Sequence, residues 1–245
     1  MCTVTYLPRP NGYILTSNRD EHLTRPLASP PQIHRLNQYQ CIYPTDAKAG
    51  GTWIISLETG ISAVLLNGAF QAHTPAPSYA RSRGRILLDI LGHPKPVKEF
   101  EACNLELIEP FTLIIHEGHN LFECRWDGEQ HHTMLLNRHK PYIWSSVTLY
   151  NSDSIKKRQQ WFELWTEKQT VFLQNEILTF HRQTGEGDSS QALVMSRNNN
   201  LSTVSITSVE VNQRLSSMHY LDLKSNEDYQ IQLPIFLSES NKVII

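Results

Sequence analysis

The sequence predicts an α+β protein in which two β-sheets pack together and helices lie on the outside. Three observations support this prediction. Stretches rich in β-branched and aromatic residues, separated by turn residues, fill most of positions 2–66. Apolar residues recur at helical spacing around residues 86–91 and again over residues 154–180. Strand-like stretches return after residue 203, so sheet-forming sequence lies on both sides of the helices.

The first half contains the elements of one sheet and one helix. Residues 2–7 and 13–17 are predicted to be strands of a hairpin, because Pro8-Arg9-Pro10-Asn11-Gly12 between them is rich in turn residues. The stretch with Pro26, Pro30 and Pro31 is expected to be irregular. Three more strands are predicted at residues 40–43, 52–57 and 61–66. The helix that contains Ile86 and Ile90 is expected to end at Gly92 and Pro94.

The second half predicts another sheet and the longest helix. Strands are expected at residues 111–116, 121–126, 133–136 and 142–147. One helix is predicted over residues 154–180, with an apolar stripe formed by Trp161, Leu164, Trp165, Phe172, Leu173 and Leu178. Residues 183–200 are predicted to be a surface loop, and three final strands are placed at residues 203–211, 216–223 and 229–236. Since no repeat or linker interrupts the chain, residues 1–245 are expected to form a single domain.

Composition excludes several function classes. The 245 residues carry 22 Lys and Arg against 24 Asp and Glu, so a nucleic-acid partner is not expected. No apolar run is long enough for an integral membrane segment, and the N-terminus does not resemble a secretion signal. The four cysteines are far apart, which predicts a reducing, cytoplasmic location and neither a metal site nor a cofactor. The histidines are interpreted as solvated, and Gly50-Gly51-Thr52-Trp53 as a turn rather than a phosphate loop.

Cys2 differs from the other cysteines by its position. If Met1 is removed, Cys2 carries both a thiol and a free α-amino group, whose ordinary pKa is about 7.7 to 8. Such an amine can act as the base that activates the thiol as a nucleophile. If Met1 is retained, Cys2 is simply a residue at the start of a strand.

An ordered set of motifs resembles the NRDE family, whose members include transport and Golgi organisation protein 2. The set comprises Met1-Cys2-Thr3-Val4-Thr5-Tyr6, Asn18-Arg19-Asp20-Glu21, Arg25-Pro26, Asp46, Gly50-Gly51-Thr52-Trp53-Ile54, Leu66-Asn67-Gly68, Ser82-Arg83-Gly84, Pro110-Phe111-Thr112-Leu113-Ile114 and Tyr150-Asn151-Ser152. The match covers about two thirds of the chain and fades after Phe180.

The resemblance implies the fold and chemistry of the N-terminal nucleophile hydrolases, a four-layer αββα sandwich similar to choloylglycine hydrolase and penicillin V acylase. On that basis Cys2 is expected to be the nucleophile and Asp20 to orient its amine. Asn67 and Asn151 are expected to donate hydrogen bonds to the oxyanion. Asn18, Arg19 and Trp53 are expected to support the site or bind substrate. The implied reaction is cleavage of a linear, non-peptide C–N amide bond through an acyl thioester.

Two departures leave alternatives open. The hydrolases carry an arginine three residues before the aspartate, where this chain has Ser17, and strand alternation sends Arg19 to the opposite face from Asp20. Arg19 and Glu21 are therefore equally well explained as an ion pair. The resemblance also implies a Thr-Arg-Ser motif late in the chain. The corresponding residues here are Thr203-Val204-Ser205, which lack the arginine, and Arg197 is only a weak substitute for it. The alternative function is a non-catalytic protein that binds or transports an apolar ligand such as acyl-CoA or haem.

Overall fold

A computed structural model describes residues 3–188, 190–197 and 200–236 of the chain. These residues form two seven-stranded antiparallel sheets and four helices, which confirms the predicted α+β sandwich. The strands are β1 (Thr3–Arg9), β2 (Gly12–His22), β3 (Ser29–Leu36), β4 (Tyr39–Thr45), β5 (Ile54–Leu57), β6 (Ser62–Asn67), β7 (Phe111–Glu117), β8 (Asn120–Trp126), β9 (His131–Leu136), β10 (Tyr142–Ser145), β11 (Ser196–Arg197), β12 (Leu201–Asn212), β13 (Leu215–Asp222) and β14 (Glu227–Pro234). The helices are α1 (Arg83–Leu91), α2 (Pro96–Ala102), α3 (Ser152–Thr166) and α4 (Gln174–Gln183).

The first sheet has the strand order β10-β1-β2-β12-β13-β14, with β11 beside β12. Strands β1 and β2 form the predicted hairpin, in which Arg9 pairs with Gly12 and Thr3 pairs with Asn18. Strand β2 continues to His22, beyond the predicted end at Ser17, because β12 pairs with it along its whole length. The pairing of Thr3 with Asn18 places the start of β1 next to the later part of β2.

The second sheet follows chain order from β3 to β9. Strand β3 lies in the proline-containing stretch that was expected to be irregular. Its position at the sheet edge explains why Pro30 and Pro31 are accommodated, since an edge strand does not need every N–H for pairing. The register shift between Ser29 and Gln32 lies at these two prolines.

Three apolar clusters hold the four layers together. One cluster lies between the sheets and includes Tyr6 and Leu15 of the first sheet and Ile114 of the second. A second cluster packs α1 and α2 on the outer face of the second sheet, and a third packs α3 and α4 on the outer face of the first. Helix α2 was not predicted; it begins at Pro96, a residue suited to the first turn because its missing N–H has no partner there.

The long helix predicted over residues 154–180 is wrong, because the chain turns back between α3 and α4. The ring centroids of Trp165 and Phe180 lie 5.1 Å apart. A continuous helix would separate two residues fifteen positions apart by roughly 22 Å along its axis. The turn allows both aromatic residues to pack with Phe162 against the first sheet.

Two further expectations are wrong, because tertiary packing buries residues that were expected to lie at the surface. The surface loop predicted over residues 183–200 contains the buried Leu193 and Met195. The histidines are not all solvated, since His116, His181 and His219 are buried.

In the described part of the chain, no helix is long and apolar enough to span a bilayer.

Candidate functional site

The Asn18-Arg19-Asp20-Glu21 tetrad lies in β2 and divides between the two faces of the first sheet. Asn18 and Asp20 face the layer of α3 and α4, where they contact His181 and Tyr150, respectively. Arg19 faces the second sheet and contacts Asp46. This is the alternation expected of an extended strand.

Asp20 is a buried carboxylate that receives hydrogen bonds from two hydroxyl groups. Its side chain accepts from the Tyr150 hydroxyl at 2.6 Å and from the Thr203 hydroxyl at 2.5 Å, and the residue is 4% exposed. No Lys, Arg or His side chain of the described residues forms an ion pair with it. Within the described ranges its side-chain donors are neutral hydroxyls, and a buried carboxylate of this kind is stabilised by a cationic partner.

A β-bulge brings Thr203 to Asp20. Thr203 pairs with Asp20 and Ser205 pairs with Arg19, so the register between β2 and β12 shifts at Val204. Without the extra residue, Thr203 and Ser205 would face the same side of the sheet. The bulge sends Thr203 toward Asp20 on the helix side and lets Ser205 share the opposite face with Arg19.

Two arginines contact the Tyr150 ring. The Arg158 guanidinium carbon lies 3.6 Å from the ring centroid and that of Arg197 lies 5.1 Å from it. Arg158 is almost completely buried, and it donates to the Thr3 hydroxyl at 2.5 Å and to the Ala192 carbonyl at 2.7 Å. Arg158 therefore links the start of β1 to the tyrosine that donates to Asp20.

Arg197 lies close to this group, although the sequence supported it only weakly as a site arginine. Its guanidinium donates to the Leu149 carbonyl at 2.9 Å and contacts the Tyr150 ring. The described contacts therefore assign it to the support of the 149–150 segment.

Asn18 joins β2 to α4. Its amide nitrogen donates to the Leu193 carbonyl at 2.7 Å and to the His181 carbonyl at 3.3 Å, and its oxygen lies 2.6 Å from His181 Nδ1. Both N–H groups of this fully buried amide are used inside the protein. None of these contacts is to Asp20, Tyr150 or Thr203, so a supporting role of Asn18 in the site stays a prediction.

Arg19, Asp46 and Trp53 form a second cluster, between the sheets. Arg19 forms an ion pair with Asp46 at 2.5 Å and lies 4.8 Å from the Trp53 ring centroid. Arg25 binds both oxygens of Asp46, and Glu21 lies 3.5 Å from Arg19. Burial by itself would raise the pKa of Asp46, but the hydrogen bonds from Arg25 and Ala49 and the charge of Arg19 outweigh it and hold that pKa below its ordinary value.

Asn67 ends β6 beside the segment that leads to Tyr150. Its carbonyl accepts from the Ser146 hydroxyl at 2.8 Å, and its side chain lines a small cavity of about 140 Å³. Gly68 follows with a φ of +81°, and a Cβ on it would lie 2.7 Å from Val147. The glycine thus allows β6 to end in close contact with residues 146–148.

Asn151 caps helix α3. Its side-chain oxygen accepts from the Ser154 N–H at 2.9 Å and from the Ser154 hydroxyl at 2.8 Å. The residue is exposed, and the cap uses only the oxygen of the amide. The amide nitrogen of Asn151 remains a donor for another group.

Cys2, the predicted nucleophile, lies outside the described residues. The other three cysteines are poor nucleophiles. Burial, with smaller contributions from nearby carboxylates, raises the pKa of Cys41 to about 12, of Cys103 to about 11 and of Cys124 to about 12.

Sequence reasoning assigned no function to Tyr150, Thr203 or Arg158. One signal for Arg158 was present, because residues 154, 158 and 162 follow helical spacing and form the buried face of α3. The other two lie in motifs that the sequence shows, but their contact with Asp20 has no local signal, since they reach it across 130 and 183 positions of sequence. Among the residues that the structure describes, no three His, Cys, Asp or Glu side chains are grouped as metal ligands.

Comparison with known proteins extends the family match over nearly the whole chain. The model of the family "Transport and Golgi organisation 2" matches residues 1–240, further than the two thirds expected from motifs. No curated protein matches by sequence.

Solved structures are similar to the chain at low identity. An N-acylethanolamine-hydrolyzing acid amidase orthologue of Caenorhabditis elegans is 15% identical with a TM-score of 0.56, over 84% of this chain and 92% of that one. Two variants of the conjugated bile acid hydrolase of Clostridium perfringens are each 11% identical, over 97% of this chain and 98% of theirs, with TM-scores of 0.49 and 0.46.

Proposed function

Because the chain belongs to the Transport and Golgi organisation 2 family and has an N-terminal nucleophile hydrolase-like fold, we propose that it hydrolyses a linear C–N amide bond with Cys2 as nucleophile. The observation that carries the proposal is the buried Asp20 carboxylate, held by two hydroxyls and not ion-paired with any side chain of the described residues. Thr3, the residue after Cys2, pairs with Asn18, two positions from Asp20 along β2. An α-ammonium group on Cys2 is the cation that would complete this site.

The reaction proceeds in two steps. The Cys2 thiol gives its proton to the α-amine and its sulfur attacks the amide carbonyl, so that a C–S bond forms and an oxyanion develops. The α-ammonium then protonates the leaving amine as the C–N bond breaks, which leaves an acyl thioester. Water hydrolyses the thioester to a carboxylic acid and restores the thiol. Asn67 and Asn151 are the proposed oxyanion donors, each worth about 3 to 4 kcal/mol if it acts like a measured oxyanion donor.

The substrate class is proposed to be a linear N-acyl amide. The amidase from Caenorhabditis elegans that shares the fold is named for hydrolysing N-acylethanolamines. A panel of linear N-acyl amides is therefore the appropriate first substrate set.

The first experiment measures whether residue 2 is the N-terminus and whether it reacts. Intact mass of the purified protein should show loss of Met1, and an iodoacetamide probe should label Cys2 before the other cysteines. With pKa values of about 11 to 12, Cys41, Cys103 and Cys124 carry about one thiolate in ten thousand or fewer at pH 7. Full retention of Met1 would refute the proposal. Labelling of Cys2 as slow as that of the other three would favour the non-catalytic binding of an apolar ligand.

The second experiment separates the oxyanion function of Asn151 from its capping function. Asn151→Asp keeps an oxygen for the Ser154 N–H but removes the amide donor. The expected result is a loss of about a hundredfold or more in kcat with little change in the free energy of unfolding. Asn151→Ala should lose both the amide donor and the helix cap, so kcat should fall as in Asn151→Asp and the free energy of unfolding should fall by about 1 kcal/mol. Equal kcat in Asn151→Asp and wild type would remove Asn151 from the mechanism, and Cys2→Ser provides the inactive reference.

A further inference from the structure

A cavity of about 520 Å³ lies at the end of the β1–β2 hairpin, far from Asp20. Tyr6 and Tyr13 form part of its wall, together with Val211 and Ile235. Tyr13 and Asp20 are seven residues apart in β2, or roughly 23 Å along an extended strand. The cavity is therefore separate from the site proposed for Cys2, and its size is typical of small-molecule sites.

The wall of this cavity contains buried aromatic rings. The rings of Tyr13 and His116 stack with their centroids 3.9 Å apart, and Tyr6 lies 5.8 Å from Tyr13. The two tyrosine hydroxyls are already engaged, since Tyr6 donates to the Arg138 carbonyl and Tyr13 donates to the Gly60 carbonyl. Both tyrosines are only 1% exposed, so their rings close the cavity, and the apolar lining residues that a ligand can contact are Pro10 and Ile235.

The charge of the lining is positive. Among the described residues that line the cavity there are two arginines and three histidines, and no Asp or Glu. Arg9 is neutralised by an ion pair with Glu210. Arg138 donates to His119 Nδ1 at 3.1 Å, and no carboxylate within the described ranges forms an ion pair with it. The guanidinium of Arg138 is available to an anion.

Two buried polar atoms of the lining also lack hydrogen-bond partners. Within the part of the chain that the structure describes, neither His116 Nδ1 nor the Thr59 hydroxyl has one, and His116 is 8% exposed. Unpaired buried polar groups are uncommon in proteins because each costs about 1 to 3 kcal/mol. Both belong to residues that line the same cavity.

We propose that this cavity binds a small organic carboxylate with an aromatic or other apolar body, which packs against Pro10 and Ile235 while its carboxylate pairs with Arg138. The proposal goes beyond the amide hydrolysis assigned to Cys2 and does not depend on it. A bidentate pair between guanidinium and carboxylate suits the geometry of Arg138, and the absence of acidic residues from the described lining removes the charge that would oppose an anion.

The test compares two ligands of the same shape and different charge. Naphthalene carboxylate is titrated calorimetrically into the full-length protein beside the uncharged naphthalene methanol. We expect saturable one-to-one binding of the carboxylate and at least tenfold weaker binding of the alcohol, since a hydrogen bond to a charged group contributes about 1.5 to 3 kcal/mol. Equal affinities would overturn the proposal, as would the absence of binding.

Variants locate the binding. Arg138→Gln should weaken the binding of naphthalene carboxylate at least tenfold without changing the affinity for naphthalene methanol. Ile235→Trp should weaken the binding of both ligands, because the larger side chain fills the cavity. Arg35→Gln is the matched control, since this arginine is exposed and donates to the Asn37 carbonyl. Cys2→Ser should bind like wild type. Unchanged affinity in Arg138→Gln, or loss of binding in Cys2→Ser, would contradict the assignment, and neither result bears on whether Cys2 hydrolyses amides.

Discussion

His181 makes the stability of the fold depend on pH. The ring is completely buried, with Nδ1 2.6 Å from the Asn18 side-chain oxygen and Nε2 2.8 Å from the Thr5 hydroxyl. Because the Asn18 nitrogen donates to two carbonyls, its oxygen faces the ring and can only accept. His181 is therefore neutral with its proton on Nδ1, and Thr5 donates to Nε2.

The magnitude follows from the difference in proton binding between the folded and unfolded chain. Burial, and to a smaller extent the positive charge of Arg158, lowers the pKa of His181 to about 3, whereas the unfolded chain has the ordinary value near 6.5. Below about pH 6.5 the unfolded state binds a proton that the folded state does not, so stability is lost as pH falls from there toward 3. Between pH 7 and pH 5 this difference amounts to about 2 kcal/mol.

The perturbation that isolates this effect is His181→Asn, which retains a polar group near the position of Nδ1. Urea unfolding followed by tryptophan fluorescence gives the free energy of unfolding at pH 7 and pH 5. The variant should be less stable at pH 7, but wild type should lose about 2 kcal/mol more than the variant between the two pH values. His116, whose pKa burial also lowers to about 3, contributes equally to both proteins.

The control is His139→Asn, because His139 is exposed. This variant should keep the pH dependence of wild type. An equal loss of stability in wild type and His181→Asn between pH 7 and pH 5 would refute the reasoning, since His181 would then titrate alike in the folded and unfolded chain.

Two further predictions concern stability. Asp46→Asn should lower the free energy of unfolding by about 1 to 3 kcal/mol, because it removes the closer of the two carboxylates paired with the buried Arg19 and leaves only Glu21, 3.5 Å away; a loss well below about 1 kcal/mol in urea unfolding would contradict this. Gly68→Ala should cost more than Gly118→Ala in the same assay. Both glycines have positive φ, at +81° and +62°, but only the added Cβ at Gly68 would meet other atoms, at 2.7 Å from Val147. Equal costs at the two positions would mean that the contact relaxes freely.

The fold could be predicted to a large extent from local sequence. Alternating apolar residues identified most strands, and the Pro8–Gly12 turn correctly joined β1 to β2. The edge strand β3 was missed because its prolines disfavour regular structure, yet an edge position accommodates them. The turn between α3 and α4 was missed because the apolar spacing continues across it, while the packing of Trp165 on Phe180 requires the chain to reverse.

For the candidate site, the sequence by itself determined which residues are present and in what order, including Cys2, Asp20, Asn67 and Asn151, and strand alternation determined that Arg19 and Asp20 face opposite sides. Only the tertiary structure decided what surrounds Asp20. Tyr150 and Thr203 reach it from 130 and 183 positions away, through a helix start and a β-bulge. The physical reason is that side-chain periodicity is a local property of the chain, whereas the register between β2 and β12 and the position of α3 are set by packing between distant segments.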